Sequence, residues 1–237
     1  NAEVSDASVV RFARSVGYKG FQDFKMDAAR DLLPRSKQLN PILEQEDDTE
    51  TICRKIFASE INVLNRTLAG LETETVDLIV DKINKARRVA IFGTGGSYIV
   101  AADAQHKFLK IGVETVCHVD ADMQQMTAAL LTKDDVALCI SFSGNNYHVI
   151  DCMRSAKNSG AFCVGIISQG KSQLAKIVDA ILYASYDETL FQSESVSTRI
   201  AQLAIIDVLV SKLAIENYDR SYNAIHLTRE ATLENKI

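Results

Sequence analysis

From Arg88 onward the apolar residues gather into five short runs, separated by stretches of mixed polarity. The runs are VAIF (89–92), ETVCHV (114–119), VALCISF (136–142), FCVGII (162–167) and AILYA (180–184). Each is nearly continuous in apolar character, as strands covered on both faces must be. Helical spacing fills the intervals near 97–110, 122–131, 146–159 and 171–177, and a long amphipathic helix is expected from about 195 to 216. The alternation predicts an α/β fold, a five-stranded parallel doubly wound sheet of flavodoxin-like type. In the strand order 2-1-3-4-5, strands 1 and 3 are neighbours whose following helices leave on opposite faces.

Before Arg88 the pattern is all-helical. Residues 5–16 open on Ser5 as an N-cap, keep Val9, Phe12, Ala13 and Val16 at helical spacing, and stop at Gly17. On that reading Val9, Phe12 and Val16 face inward. A second helix is predicted over 21–33, with Phe21, Phe24, Ala28 and Leu32 as its stripe. Pro34 and Pro41 bracket a linker. The acidic stretch Glu44–Asp48 reads as a solvated lead-in to a helix near 51–68, and another helix runs to about 86. The chain divides accordingly into a helical end (1–39), a helical linker (40–86) and the α/β domain (87–237).

Composition changes this picture little. Among 237 residues, 47% are hydrophobic and 24% charged, the balance of a soluble globular protein. No stretch approaches the roughly 18 uninterrupted apolar residues of a membrane span, and the first residues carry no secretory signal, so no membrane partner is expected. The chain does not begin with Met, and is expected to start inside a longer protein. Its five cysteines are odd in number and include no CxxC pair, which points away from a disulfide framework and from a zinc site. Cys117, Cys139 and Cys163 lie in strand-like runs and are expected to be buried thiols, as in a reducing cytoplasm. No metal or other cofactor is called for.

Charge adds one asymmetry. The net charge is −5, yet residues 1–39 carry seven basic against five acidic side chains, so the rest of the chain stands at −7. A mildly basic end on an acidic body sets the helical end apart from the rest of the chain.

The candidate chemistry sits where strands 1 and 3 end. The first leads into Gly93-Thr94-Gly95-Gly96-Ser97 and directly into a helix. Glycines let the backbone approach a ligand, and a helix start offers unpaired N–H groups and the positive end of a dipole, which suits an anion. A tight strand-to-helix turn also needs glycine, so the signal has a purely structural reading. A dinucleotide fingerprint would require glycine at Tyr98, although Asp120 after the second strand keeps that alternative open. The third strand leads into Ser141-Phe142-Ser143-Gly144-Asn145-Asn146, where two hydroxyls spaced by one residue can converge on one oxyanion. The sheet order brings the two turns to one crevice, a phosphate site without an obligatory lysine or arginine.

GTGGS, SFSGNN and QSESVSTRIAQLAIIDVL together resemble a sugar isomerase (SIS) domain, and VSDASVVRFARSVGYKGFQDFK resembles the helix-turn-helix of RpiR-type transcriptional regulators. The resemblance covers nearly the whole chain. It implies that Gly95, Gly96, Ser97, Ser141, Ser143 and Asn146 line a phosphate site, with Asn145-Asn146 standing where the family often has Glu-Thr. It further implies that Asp122, Glu194 and Arg199 face the sugar. Asp122 stands where histidine is common; it favours an amino or hydroxyl substituent or serves as a helix N-cap. In the helical end, a partial helix-turn-helix, the resemblance points to Ser5, Ser8, Arg11, Arg14 and Lys19 as DNA contacts. Arg11 suits guanine, and Arg14 and Lys19 suit phosphates. The family fold places further helices before this one, so the displayed chain by itself is expected to hold operator DNA weakly.

The function implied is a non-enzymatic regulator of sugar or amino-sugar catabolism, whose SIS domain binds a sugar phosphate effector that modulates DNA binding. Glucosamine 6-phosphate and N-acetylmannosamine 6-phosphate are family possibilities. A homodimer or higher homo-oligomer is expected, part of it formed by the long helix near 195–216. The alternative is an SIS-type sugar-phosphate isomerase with Glu194 or His118 as base; residues 5–33 have no use in such an enzyme.

Overall fold

A computed structural model of the chain describes residues 6–22, 24–25, 42–168, 172–186 and 196–233. These fall into two units, divided between Ser59 and Glu60.

In the first unit, helix α1 (Asp6–Ser15) ends at Gly17, whose φ of 96° closes the turn and lets Tyr18 N–H reach Ala13 O at 3.0 Å. Residues 21, 22, 24 and 25 are helical; the rest of the helix expected over 21–33 lies outside the described residues. Phe24 is the hub of an aromatic cluster, edge-on to Phe12 at 5.5 Å and to Tyr18 at 5.4 Å. Ala13 is fully buried, but Phe12 and Val16 are about half exposed, not inward as the helical spacing suggested. Phe24 covers only one edge of Phe12, and spacing alone says nothing of how wide the covering surface is.

The acidic stretch is also more than a solvated lead-in. Asp48 Oδ1 accepts the Thr51 N–H at 2.8 Å and caps helix α2 (Thr49–Ala69). Asp47 accepts the Glu44 N–H at 2.8 Å and pairs with Lys55 at 2.7 Å. These bonds, the Glu44 amide foremost for Asp47 and Thr51 for Asp48, hold both carboxyls below their usual range.

The second unit holds the sheet. After α3 (Thr73–Lys85) the elements alternate: β1 (Val89–Phe92), α4 (Gly96–Lys110), β2 (Thr115–Cys117), α5 (Ala121–Ala129), β3 (Val136–Ser141), α6 (Tyr147–Asn158), β4 (Phe162–Ile167), a 3-10 turn (Leu174–Lys176) and β5 (Ala180–Tyr183). Helices α7 (Val196–Glu216) and α8 (Tyr218–Glu230) complete it. The strands are all parallel in the order β2-β1-β3-β4-β5, the doubly wound topology expected. Two local expectations are corrected. Strand β2 covers 115–117 rather than 114–119, because Gln124 takes over its pairing beyond Cys117. Of the helix expected over 171–177, the described part is a single 3-10 turn. Helix α8, for which no expectation was drawn, buries Ser221 alone.

Alternate residues of each strand feed two cores. Val89, Ile91, Val136, Leu138, Ile140, Val164 and Ile166 pack with α3, α4 and α7. Ala90, Phe92, Ala137, Cys139, Cys163 and Ile167 pack with α5 and α6. Each large side chain so buried contributes roughly 1.5–3 kcal/mol. The consequence for function is that α4 and α6, which follow the adjacent strands β1 and β3, lie on opposite faces. Their N-termini open a crevice at one edge of the sheet. At the other edge Arg87 grips the fully buried Asp135 carboxylate with two bonds of 3.0 and 2.8 Å. Burial alone would raise that carboxyl, but Arg87 and the Thr132 N–H and hydroxyl hold it below its usual range.

Candidate functional site

The turn after β1 is shaped by close backbone approach. A Cβ on Gly93 would lie 3.0 Å from Ser97 O and 3.1 Å from Ser97 C, so the first turn of α4 folds directly back over this residue. Gly95 caps α4 with φ 54° and ψ −130°, a conformation open essentially to glycine alone. Gly96 opens the helix, and Ser97 is half-buried in its first turn with its N–H on Thr94 O at 3.1 Å.

The turn after β3 is held by its own side chains. Ser141, 5% exposed, accepts the Gly144 N–H on its hydroxyl oxygen at 3.1 Å; Ser143 accepts the Asn145 N–H at 3.2 Å. In both serines the oxygen takes a backbone proton, which leaves the O–H as a donor toward an anion. Gly144 has φ 62°, and a Cβ there would sit 2.4 Å from Ser172 Oγ. The turn is further clamped from the segment after β4: Ser168 N–H on Phe142 O at 3.2 Å, Gln173 N–H on Asn145 Oδ1 at 2.9 Å, and Leu174 N–H on Gly144 O at 3.1 Å. Asn145 also donates its amide to Ser143 O at 3.0 Å. Asn146 is the N-cap of α6, with Oδ1 accepting the Val149 N–H at 3.2 Å. Its side-chain oxygen is therefore committed to the helix.

Both turns lie at the carboxyl edge of paired strands, in register through Phe92 and Cys139. Each delivers a helix start with its unpaired N–H groups and dipole. The arrangement can receive a multiply charged oxyanion from hydroxyl and amide donors.

The candidate sugar end is less drawn together. Asp120, not Asp122, caps α5, accepting the Met123 N–H at 2.9 Å. That removes the capping role considered for Asp122 and gives Asp120 a structural duty in place of a ribose contact. Asp122 is exposed in the first turn of α5. Arg199 is half-buried near the start of α7, between the fully buried Thr198 and Gln202. Glu194 lies outside the described residues, as does Ser5. In α1, Arg11 and Arg14 are exposed, Ser8 is half-buried and receives Arg11 Nη2 at 3.4 Å, and Lys19 is exposed in the following turn.

The thiols in the sheet divide. Cys139 and Cys163 are fully buried, Cys117 only half-buried; burial pushes Cys163 up to about 12 and Cys117 up to about 11. Neither is a nucleophile at neutral pH. Of the isomerase candidates, His118 is half-buried, with its carbonyl engaged by Gln124.

Sequence reasoning missed Gln124, which is 1% exposed and bonded to both Gly93 and His118. A signal was present: Gln124 and Ala128 share a helical face four residues apart, and Ala128 is fully buried, so a polar residue sits on the inward side of α5.

Family models match over most of the chain. Residues 82–212 match the SIS domain and residues 1–34 match the helix-turn-helix domain of the rpiR family. An uncharacterized HTH-type transcriptional regulator of Caldanaerobacter subterraneus is 32% identical over 235 residues, 99% of this chain and 83% of its own length. The structure of the Vibrio vulnificus NanR protein complexed with ManNAc-6P superposes with a TM-score of 0.81 at 25% identity, covering 99% of this chain and 83% of NanR. The sugar isomerase domain of an RpiR transcription factor from Sphaerobacter thermophilus shares the fold, with a TM-score of 0.70 at 21% identity over 76% of this chain and 98% of that one. With its helix-turn-helix segment ahead of an SIS domain, the chain belongs to the RpiR family of HTH-type transcriptional regulators.

Proposed function

We propose that this transcriptional regulator senses a phosphorylated sugar in the crevice between β1 and β3, and that occupancy of the crevice alters its hold on operator DNA. The observation that carries the reading is the pair of serine hydroxyls in the turn between β3 and α6, each accepting a backbone N–H and so left with its proton to donate. Ser97, with Gly95 and Gly96, supplies the second wall, and Asn146 the amide of the helix cap. Such a cradle binds a phosphate ester without a fixed cation and releases it readily, as a sensor must. The similarity to NanR, whose structure holds ManNAc-6P, supports a phosphorylated amino sugar as the effector. Asp122, Glu194 and Arg199 are assigned to the sugar end, and Ser5, Ser8, Arg11, Arg14 and Lys19 to DNA. The domain limits that go with this assignment are 1–39, 40–86 and 87–237.

Coupling requires the effector to bind two arrangements of the protein unequally. The test is a panel of hexose 6-phosphates, with N-acetylmannosamine 6-phosphate included, followed by thermal shift, by turnover and by gel shift on operator DNA. Stabilisation without turnover, with a changed DNA affinity, is the expected result. Multiple-turnover isomerisation would overturn the reading. Ser141→Ala and Ser143→Ala are each expected to weaken sugar-phosphate binding tenfold or more; full affinity in both would displace the site.

A further inference from the structure

The ladder between β1 and β2 ends at Ile91 and Cys117, two residues before β1 passes into its glycine turn. Gly93, which is buried, therefore lacks a strand neighbour on that side, and both its N–H and its C=O need partners. One side chain meets both. Gln124 Nε2 donates to Gly93 O at 3.1 Å and to His118 O at 2.9 Å, and its Oε1 accepts the Gly93 N–H at 3.4 Å. A primary amide carries the same donor and acceptor as a peptide group, with one further N–H. Gln124 thus extends the sheet by one rung where β2 has stopped, and its spare proton ties in the carbonyl at the end of β2. Three elements meet at this side chain: β1 running into its glycine turn through Gly93, β2 running toward Asp120 through His118, and α5, which carries Gln124 itself.

This places Gln124 in mechanical control of the turn. Ser97 folds back so closely over Gly93 that a Cβ there would lie 3.0 Å from Ser97 O, so a shift of the Gly93 peptide moves the start of α4 with it. Gln124 lies two residues after Asp122 on α5, so one helix carries both the anchor of the anion turn and the residue assigned to the sugar end. We propose that Gln124 is a positioning residue that holds Gly93–Ser97 in its ligand-receiving geometry and thereby sets the affinity of the crevice for a sugar phosphate. The proposal rests on the reading of the crevice as a sugar-phosphate site. Gln124 is one bond removed from the ligand, and its removal leaves two backbone carbonyls and an N–H without their partner.

The test uses the full chain with Gln124→Leu and Gln124→Glu, and N-acetylmannosamine 6-phosphate as probe. Gln124→Leu keeps shape and helix propensity but has no hydrogen bonds. It is expected to remain folded at 25 °C with a lowered melting temperature, and to bind the probe at least tenfold more weakly. In Gln124→Glu an ionised carboxylate can only accept, and it faces two carbonyl oxygens; once protonated it regains a donor. Its affinity relative to wild type at the same pH is expected to be low at pH 8 and to recover at pH 5.5, while Gln124→Leu shows no recovery. Taking the ratio at each pH removes the ionisation of the phosphate ester itself, near about pH 6. A Gln124→Leu protein that is less stable but binds with unchanged affinity would overturn the inference, as would a Gln124→Glu protein insensitive to pH. Should the wild type bind no hexose 6-phosphate at all, the reading of the crevice fails instead. Amide hydrogen exchange over Gly93–Ser97 then decides on Gln124, since exchange unchanged in Gln124→Leu removes its hold on the turn.

Discussion

The two turns of the crevice do the same task by opposite means. The turn after β3 is built largely from its own side chains: Ser141 and Ser143 accept amides three and two residues on, Asn146 caps the helix, and Ser172 to Leu174 close over Gly144. The turn after β1 has almost no side chains with which to do this, and is held from outside by Gln124. A turn rich in hydroxyls can both shape itself and meet a ligand. A turn rich in glycine meets the ligand through its backbone and must borrow its rigidity from a neighbour.

That contrast predicts a ranking of single substitutions. Gly144→Ala should cost the most, about 3 kcal/mol in urea unfolding, because it sets a Cβ 2.4 Å from Ser172 Oγ at a φ of 62°. Gly93→Ala should cost about 2 kcal/mol; its φ is ordinary, but the 3.0 Å contact is with backbone that cannot swing aside. A larger cost at Gly93 than at Gly144 would reverse the comparison and make the β1 turn the tighter of the two.

Within the β3 turn the two serines should separate. Ser141→Ala leaves the buried Gly144 N–H without its acceptor, at about 1–2 kcal/mol by the same unfolding measurement. Asn146→Ala, which removes the cap of α6, should lower stability by about 1 kcal/mol. Ser143→Ala should change stability by less than about 0.5 kcal/mol, since Asn145 is exposed and water can replace the hydroxyl. Equal losses for Ser141→Ala and Ser143→Ala would mean that burial does not distinguish them. Sugar-phosphate affinity should fall for both, so stability and binding are expected to diverge most at Ser143.

How much was legible depended on the range of the interactions. The β3 turn was readable because most of its bonds join residues within three positions, and Ser, Gly and Asn at such spacing have few other uses. The gripping of Gly93 by Gln124 spans 31 positions, and the clamp from Gln173 to Asn145 spans 28. Helical spacing puts Gln124 on one face with Ala128, but neither contact partner can be read from spacing along the chain. Asp120 and Asp122 show the same limit on a small scale. Both precede an apolar stretch, both are acidic, and a displacement of the helix start by two residues decides which of them caps.

The sequence by itself determined the five parallel strands, their order and the crevice between the first and third. Strands buried on both faces must be nearly all apolar, and right-handed crossovers leave few ways to arrange them. It also determined the positions of Ser141 and Ser143, because a strand end, a glycine and a helix start are local features. Only the tertiary structure decided that Phe12 and Val16 stand half exposed, that Asp120 caps α5, that α8 forms with a single buried residue, and that Gln124 completes the sheet where β2 stops. Each of these depends on which surface happens to lie opposite a residue, and that is settled by packing between distant segments rather than by any pattern along the chain.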